Sequence, residues 1–250
     1  MKVYFIGAGP GDPELLTIKG KTLIEKCKII IYAGSLVNER ILEYAPKDAS
    51  IYNSAKMTLE EVVAVYKDAQ KQNMDVARIH TGDPSIYGAI KEQMDALAEL
   101  EIEYQMVPGV SSFLAAAAAV EAEFTLPSVS QTVIVTRLEG RTPVPEKEKL
   151  TALAKHQASM CIFLSVHMIE DVVTQLSTQY PEATPIAVVE KASWPEERVV
   201  TGTLETIAAA VKKAGITKTA MIMVGDFLDS EYERSKLYDP QFSHCYREKE

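Results

Sequence analysis

Short β-branched runs alternate with amphipathic helical stretches along the first 120 residues, and this alternation constrains the fold more than any other feature of the chain. Residues 3–6, 28–32, 51–53, 76–80 and 103–107 read as strands. Between the first two, residues 17–26 carry Leu23 and Ile24 on the helical face that Leu16 begins. Residues 58–72 open with a capping box, Thr58-x-x-Glu61, and repeat Leu59, Val62, Val63 and Tyr66 at helical spacing. A further helix is expected after Asp83-Pro84, running through Leu100, and an alanine-rich one from about Ser111 to Val120. Strands separated by helices imply an α/β fold with a parallel or mixed sheet covered on both faces.

The pattern breaks at Leu126-Pro127-Ser128 and then resumes. Strands are expected at 132–136, 160–164, 185–189, 198–201 and 220–224, and helices at 147–155, 167–178 and 204–214. The strands around 196–203 look antiparallel. Two α/β domains are therefore expected, 1–122 and 123–250, joined near 122–130 with a cleft between them. The charged tail after Asp229 should fray.

The chain has 250 residues and a net charge of −9, and it contains no basic block to track a phosphate backbone. That argues against a nucleic-acid partner but leaves an anionic small molecule open, because a local pocket can be positive on an acidic protein. Cys27, Cys161 and Cys245 stand far apart, and the four histidines make no HxxxH pair, so no metal site is expected. An odd cysteine count without a framework suits a reducing cytoplasm. The N-terminal apolar stretch is too short for a signal segment, and no run approaches the ~20 residues that span a bilayer, so no membrane role is expected.

Gly7-Ala8-Gly9-Pro10-Gly11-Asp12 invites a dinucleotide reading, which fails on two counts. Asp12 stands where the third glycine should let helix and strand pack closely, and Pro10 removes an amide that would face a pyrophosphate. The second strand also ends at Tyr32-Ala33, without the acid that would hold a ribose hydroxyl. The loop recurs with two others in order: Gly82-Asp83-Pro84-Ser85-Ile86-Tyr87-Gly88, and Pro108-Gly109-Val110-Ser111-Ser112. Together the three resemble the tetrapyrrole methylases, the S-adenosylmethionine-dependent enzymes of corrin and sirohaem synthesis. The resemblance runs through Gly202-Thr203-Leu204 to the last strand. Tyr32-Ala33-Gly34-Ser35-Leu36-Val37 is similar to the subgroup that methylates C-11 of precorrin-4 or its cobalt form.

The resemblance implies a cofactor, S-adenosylmethionine, held bent in the interdomain cleft and leaving as S-adenosylhomocysteine. It implies a tetrapyrrole substrate and a homodimer. Carried over by motif, Pro10, Thr81, Gly82, Asp83 and Ile86 line the cofactor site, with Ser111 and Ser112 at the next helix start. Leu164 at a strand end, Ala192, and Thr219-Ala220 beside the adenine complete it. Glycine at 82 and 109 would let the cofactor approach the backbone closely. Asp83-Pro84 also fits a helix start, and Ser111 and Ser112 fit plain caps. His80 and His167 fit packed or exposed side chains. Arg40, Lys56, Arg137 and Lys191 are candidates for a positive rim that draws in substrate carboxylates.

One departure concerns chemistry. Relatives that methylate uroporphyrinogen commonly have an aspartate where Ala33 stands, so its acid–base role does not transfer and no catalytic residue is assigned. The alternatives are another tetrapyrrole methylase, acting at C-20, at C-17 or on uroporphyrinogen, and a non-catalytic tetrapyrrole carrier on the same fold.

Overall fold

A computed structural model describes residues 1–248. The chain folds as two compact units, Met1–Ala115 with Lys191–Glu197, and Ala116–Glu190 with the residues from Arg198 onward. A linear cut near 122 does not anticipate the place of Lys191–Glu197 in the first unit.

In the first unit, β1 (Lys2–Gly7), β2 (Ile29–Tyr32), β3 (Ser50–Asn53), β4 (Val76–His80) and β5 (Glu103–Val107) form one parallel sheet in the order β3-β2-β4-β1-β5. The helices are α1 (Ile18–Lys26) after β1, α2 (Leu59–Lys71) after β3, α3 (Lys91–Glu99) after β4, and α4 (Ser112–Ala119) after β5. Side chains alternate across the strands, which splits the core in two. Val3, Phe5, Ile29, Ile31 and Val76 pack on Val62, Tyr66 and Leu97 from α2 and α3. Ile6, Ile30, Tyr32, Ala77 and Ile79 pack on Ile24 of α1 and on Ile41. Thr58 and Glu61 close the expected capping box reciprocally at the start of α2, at 3.3 and 2.7 Å.

In the second unit, α5 (Leu150–Leu153), α6 (Ile169–Leu176) and α7 (Ile207–Ala214) cover a mixed sheet. Its strands are β6 (Val133–Arg137), β7 (Ser159–Phe163), β8 (Pro185–Glu190), β9 (Arg198–Thr203) and β10 (Ala220–Val224), in the order β6-β7-β10-β8-β9. Only β6 and β7 run parallel; β7–β10, β10–β8 and the β8–β9 pair are antiparallel.

Three expectations change. The helix expected after Asp83-Pro84 starts only at Lys91, because Tyr87 and Ala89 adopt left-handed backbone (φ 54° and 47°) that ends any helical run. The helix expected at 147–155 is broken into a 3-10 turn, Glu146–Glu148, the single α-helical turn of α5, and a second 3-10 turn, Ala154–His156, that continues it. The tail beyond Asp229 is not simply frayed. It turns at Lys236–Tyr238, and the Arg247 guanidinium donates to the carbonyls of Leu237 and Asp239 at 2.9 and 2.7 Å.

Candidate functional site

In the first sheet, β1 and β4 are neighbours whose onward connections diverge. From β1 the chain crosses β4 to reach β2, and from β4 it crosses β1 to reach β5. Open α/β sheets bind ligands outside the carboxyl ends of strands at such a switch point. All three glycine-bearing loops lie there. Ala8 donates to the His80 carbonyl at 2.7 Å, and Gly9 and Gly82 exchange backbone bonds at 3.3 and 2.8 Å. The loops pack so closely that a Cβ on Gly109 would stand 2.2 Å from the Gly82 carbonyl oxygen and 2.8 Å from the Gly7 Cα. Glycine at 109 thus serves contact between loops, rather than only leaving a face open to a ligand. Gly82 differs. Its φ of 58° is left-handed, and a Cβ there would sit 3.5 Å from the Ser111 Cα and 3.7 Å from the Ser112 nitrogen. Its hydrogen therefore leaves a notch over the start of α4.

Asp83 ties two of these loops together. Its Oδ2 accepts from the Gly109 amide at 2.9 Å, while Oδ1 accepts from the Ser85 amide and hydroxyl at 2.9 and 2.5 Å. Burial pushes its pKa up, but the bonds from the Ser85 hydroxyl and the Gly109 and Ser85 amides outweigh that and hold it below the ordinary carboxylate value. Ile86 follows in the same turn, its amide on the Asp83 carbonyl. Asp83 caps a turn and not a helix. Thr81, Gly82, Asp83, Ile86, Ser111 and Ser112 are thereby gathered at the carboxyl end of the sheet.

Pro10 is buried, and the segment it begins is clamped by side chains distant in sequence. Its carbonyl accepts from the Trp194 indole Nε1 at 2.9 Å. The Gly11 carbonyl accepts from Asn38 Nδ2 at 2.8 Å, and the Asp12 amide donates to Ser193 Oγ at 3.0 Å. Ala192 lies buried in that same Lys191–Glu197 segment. Sequence reasoning missed Asn38, Ser193 and Trp194. The one available signal was that the single tryptophan of the chain falls between two strands and outside any apolar periodicity.

In the second unit, β7 pairs antiparallel with β10, Ile162 opposite Ile222, and Leu164 directly follows the end of β7 while Thr219 directly precedes the start of β10 at Ala220. Leu164 is 56% exposed, and both it and Thr219 adopt left-handed backbone (φ 54° and 52°). Such strain in non-glycine residues concentrates at functional sites. Ser165 braces the turn, accepting from the Leu138 amide at 2.9 Å and donating to the Phe163 carbonyl at 2.6 Å.

The remaining candidates separate on their surroundings. His80 is buried, its Nε2 has no partner, and burial and the neighbouring Arg78 push its pKa down to about 3. His167 is exposed. Arg137 is not a free rim cation, since its guanidinium donates to the carbonyls of Leu138, Thr142 and Pro143 at 3.3, 3.1 and 2.8 Å and so pins its own loop. Lys191 is likewise engaged, 3.7 Å from Glu196 and 5.8 Å from the centre of the Trp194 ring.

Comparison with known proteins places this geometry. Residues 2–208 match the family model for tetrapyrrole (corrin/porphyrin) methylases. The chain is 60% identical over 248 residues to the cobalt-precorrin-4 C(11)-methyltransferase of Methanocaldococcus jannaschii, covering 98% of this chain and 96% of the relative. A solved cobalt-precorrin-4 methyltransferase superposes with a TM-score of 0.90 at 46% identity, covering 92% of this chain and 96% of that one. The uroporphyrin-III C-methyltransferase of Thermus thermophilus, solved with S-adenosylhomocysteine, gives a TM-score of 0.77 at 26% identity, covering 91% of this chain and 99% of that one.

Proposed function

The chain belongs to the tetrapyrrole (corrin/porphyrin) methylases, and from that premise we propose how it holds its methyl donor. It is an S-adenosylmethionine-dependent methyltransferase acting on C-11 of cobalt-precorrin-4 in cobalamin biosynthesis. The observation that carries this is 60% identity along nearly the whole of a relative with that activity, joined to three loops meeting at the carboxyl ends of β1, β4 and β5.

Pro10, Thr81, Gly82, Asp83, Ile86, Ser111, Ser112 and Ala192 are the donor-binding residues of the first unit, and Leu164, Thr219 and Ala220 those of the second. The notch left by the Gly82 hydrogen supports the first group, and the exposed, left-handed Leu164 the second. When bound, S-adenosylmethionine supplies an electrophilic sulfonium methyl and departs as S-adenosylhomocysteine. Asp83, locked to Gly109 and Ser85, keeps the loops in one geometry, and the loops hold donor and acceptor aligned, where most of the rate advantage arises. The acceptor carbon becomes quaternary and gives up no proton itself; the compensating proton leaves a ring nitrogen or a neighbouring bridge carbon to water, so no side chain need act as a dedicated base. Buried His80, neutral at physiological pH, is unsuited to that task.

We read the protein as a cytoplasmic homodimer. No helix among the described residues is long and apolar enough to cross a membrane. The open edge of β5 exposes Tyr104 and Met106, apolar area that a second copy would cover; light scattering showing a monomer at micromolar concentration would reject the dimer.

The test of function is incubation with cobalt-precorrin-4 or precorrin-4 and 13C-methyl donor, followed by NMR. A new quaternary methyl at C-11 is expected, more rapidly with the cobalt form. Label at C-20, C-17 or nowhere refutes the assignment.

A further inference from the structure

Three consecutive residues, Pro10, Gly11 and Asp12, bond through their backbone not to neighbouring strands but to side chains: the Pro10 and Gly11 carbonyls accept from Trp194 and Asn38, and the Asp12 amide donates to Ser193. Gly11 shows what this arrangement requires. Its backbone is not left-handed, so conformation alone would admit other residues there. A Cβ at Gly11, however, would lie 2.0 Å from both Cδ1 and Nε1 of Trp194. The indole therefore rests directly on the Gly11 backbone. One step earlier, Gly9 is bridged to Gly82, so the clamped segment joins the knot of glycine loops without slack.

The clamp is itself stiffened. Trp194 donates to the Lys191 carbonyl at 2.9 Å, Glu197 donates to the Trp194 carbonyl at 3.0 Å, and the Ser193 amide reaches Glu197 Oε2 at 2.6 Å. Lys191 and Ser193 both adopt left-handed backbone, φ 49° and 69°, which non-glycine residues sustain only where surrounding contacts impose it. A segment held this tightly against a loop that carries Pro10 of the proposed donor site is suited to fixing that loop within fractions of an ångström.

We propose that Trp194 is a positioning residue for methyl transfer: by seating its indole on Gly11 and bonding the Pro10 carbonyl, it sets the Pro10–Asp12 loop in the geometry from which the methyl is passed. The inference rests on the methyltransferase reading above. Misplacing a reacting group by about 1 Å costs ~10²-fold in rate, whereas donor affinity, spread over many contacts, depends less on one loop.

The test uses the full chain and four variants: Trp194→Phe, Trp194→Ala, Gly11→Ala and the double variant Gly11→Ala/Trp194→Ala. Four quantities are read: S-adenosylhomocysteine affinity by calorimetry, single-turnover methyl transfer to cobalt-precorrin-4, acceptor KM under steady-state turnover, and hydrogen exchange in the peptide spanning residues 7–16. Trp194→Phe keeps an aromatic ring at position 194 but loses the indole N–H and part of the bicyclic surface that meets Gly11; it should retain affinity within about threefold and transfer methyl roughly tenfold more slowly. Trp194→Ala and Gly11→Ala should each lose on the order of 10²-fold in that step, with acceptor KM within about threefold. The double variant should be no worse than either single one, because a Cβ at position 11 then enters the space the indole leaves. A folded Trp194→Ala variant with wild-type transfer rate, or losses that simply multiply in the double variant, would overturn the proposal. Should the wild type bind S-adenosylhomocysteine yet leave the acceptor unmethylated, the substrate reading fails. Exchange at the Asp12 amide still judges the clamp: faster exchange in Trp194→Ala sustains it, and unchanged exchange removes it.

Discussion

Replacing Gly109 by alanine tests whether the junction of the glycine loops is built by backbone contact. The new Cβ would stand 2.2 Å from the Gly82 carbonyl oxygen, about 0.8 Å inside the 3.0 Å at which a Cβ can rest. It would also stand 2.8 Å from the Gly7 Cα, and neither neighbour is a side chain that can swing away. Overpacking of this kind costs roughly 1–3 kcal/mol. The loop must also shift relative to Asp83, weakening the bond from the Gly109 amide to a carboxylate, worth about 1.5–3 kcal/mol. Together these come to about 2.5–6 kcal/mol, a large share of the ~5–15 kcal/mol that holds a domain. At ~2–4 °C per kcal/mol for a chain of this size, the melting temperature should fall by roughly 5–24 °C. S-adenosylhomocysteine affinity, measured by calorimetry below the transition, should fall at least tenfold if the loops hold the donor. Gly140→Ala is the control. Its Cβ would meet only Met168 Cε at 3.5 Å, so its stability should stay within about 0.5 kcal/mol of wild type. A Gly109→Ala protein with unchanged melting temperature and unchanged affinity would refute the reasoning.

Further outcomes follow from other residues. Gly82→Val should weaken S-adenosylhomocysteine binding and also destabilise the fold by at least about 1–2 kcal/mol, because φ at Gly82 is left-handed; calorimetry and thermal melts together would expose a variant that does neither. His80, with its pKa lowered in the folded state to about 3, should show no imidazole titration by NMR between pH 5 and 8. The unfolded chain takes up that proton below about pH 6.5 while the folded one does not, so this contribution to stability is complete above pH 6.5 and declines as pH falls toward 3. Cys27 and Cys161 are buried with thiols pushed up to about 12 by desolvation, with Asp75 adding to the rise at Cys27, so a thiol reagent at pH 8 should modify Cys245 quickly and the other two only on unfolding. Three fast thiols would contradict this burial.

Much of the architecture is readable in the residues themselves, because local order and burial leave a periodic trace. The runs at 29–32 and 76–80 are mostly apolar or β-branched, Arg78 and His80 excepted, since they lie inside a parallel sheet covered on both faces, and Thr58 with Glu61 announces α2 through bonds made within one turn. The three glycine loops are legible as motifs because each must turn sharply directly after a strand. Tertiary structure alone decided what those loops touch. Nothing local tells that Gly109 abuts Gly82 and Gly7, or that Arg137 is occupied by its own loop. Tyr87 and Ala89 carry no residue-level sign of left-handed backbone, so the late start of α3 was hidden. The clearest case is Trp194, whose indole bonds a carbonyl 184 positions away. Periodicity records which face of an element is buried, whereas a contact between distant segments depends on how complete elements pack, and a single sequence holds no repeating signal of that.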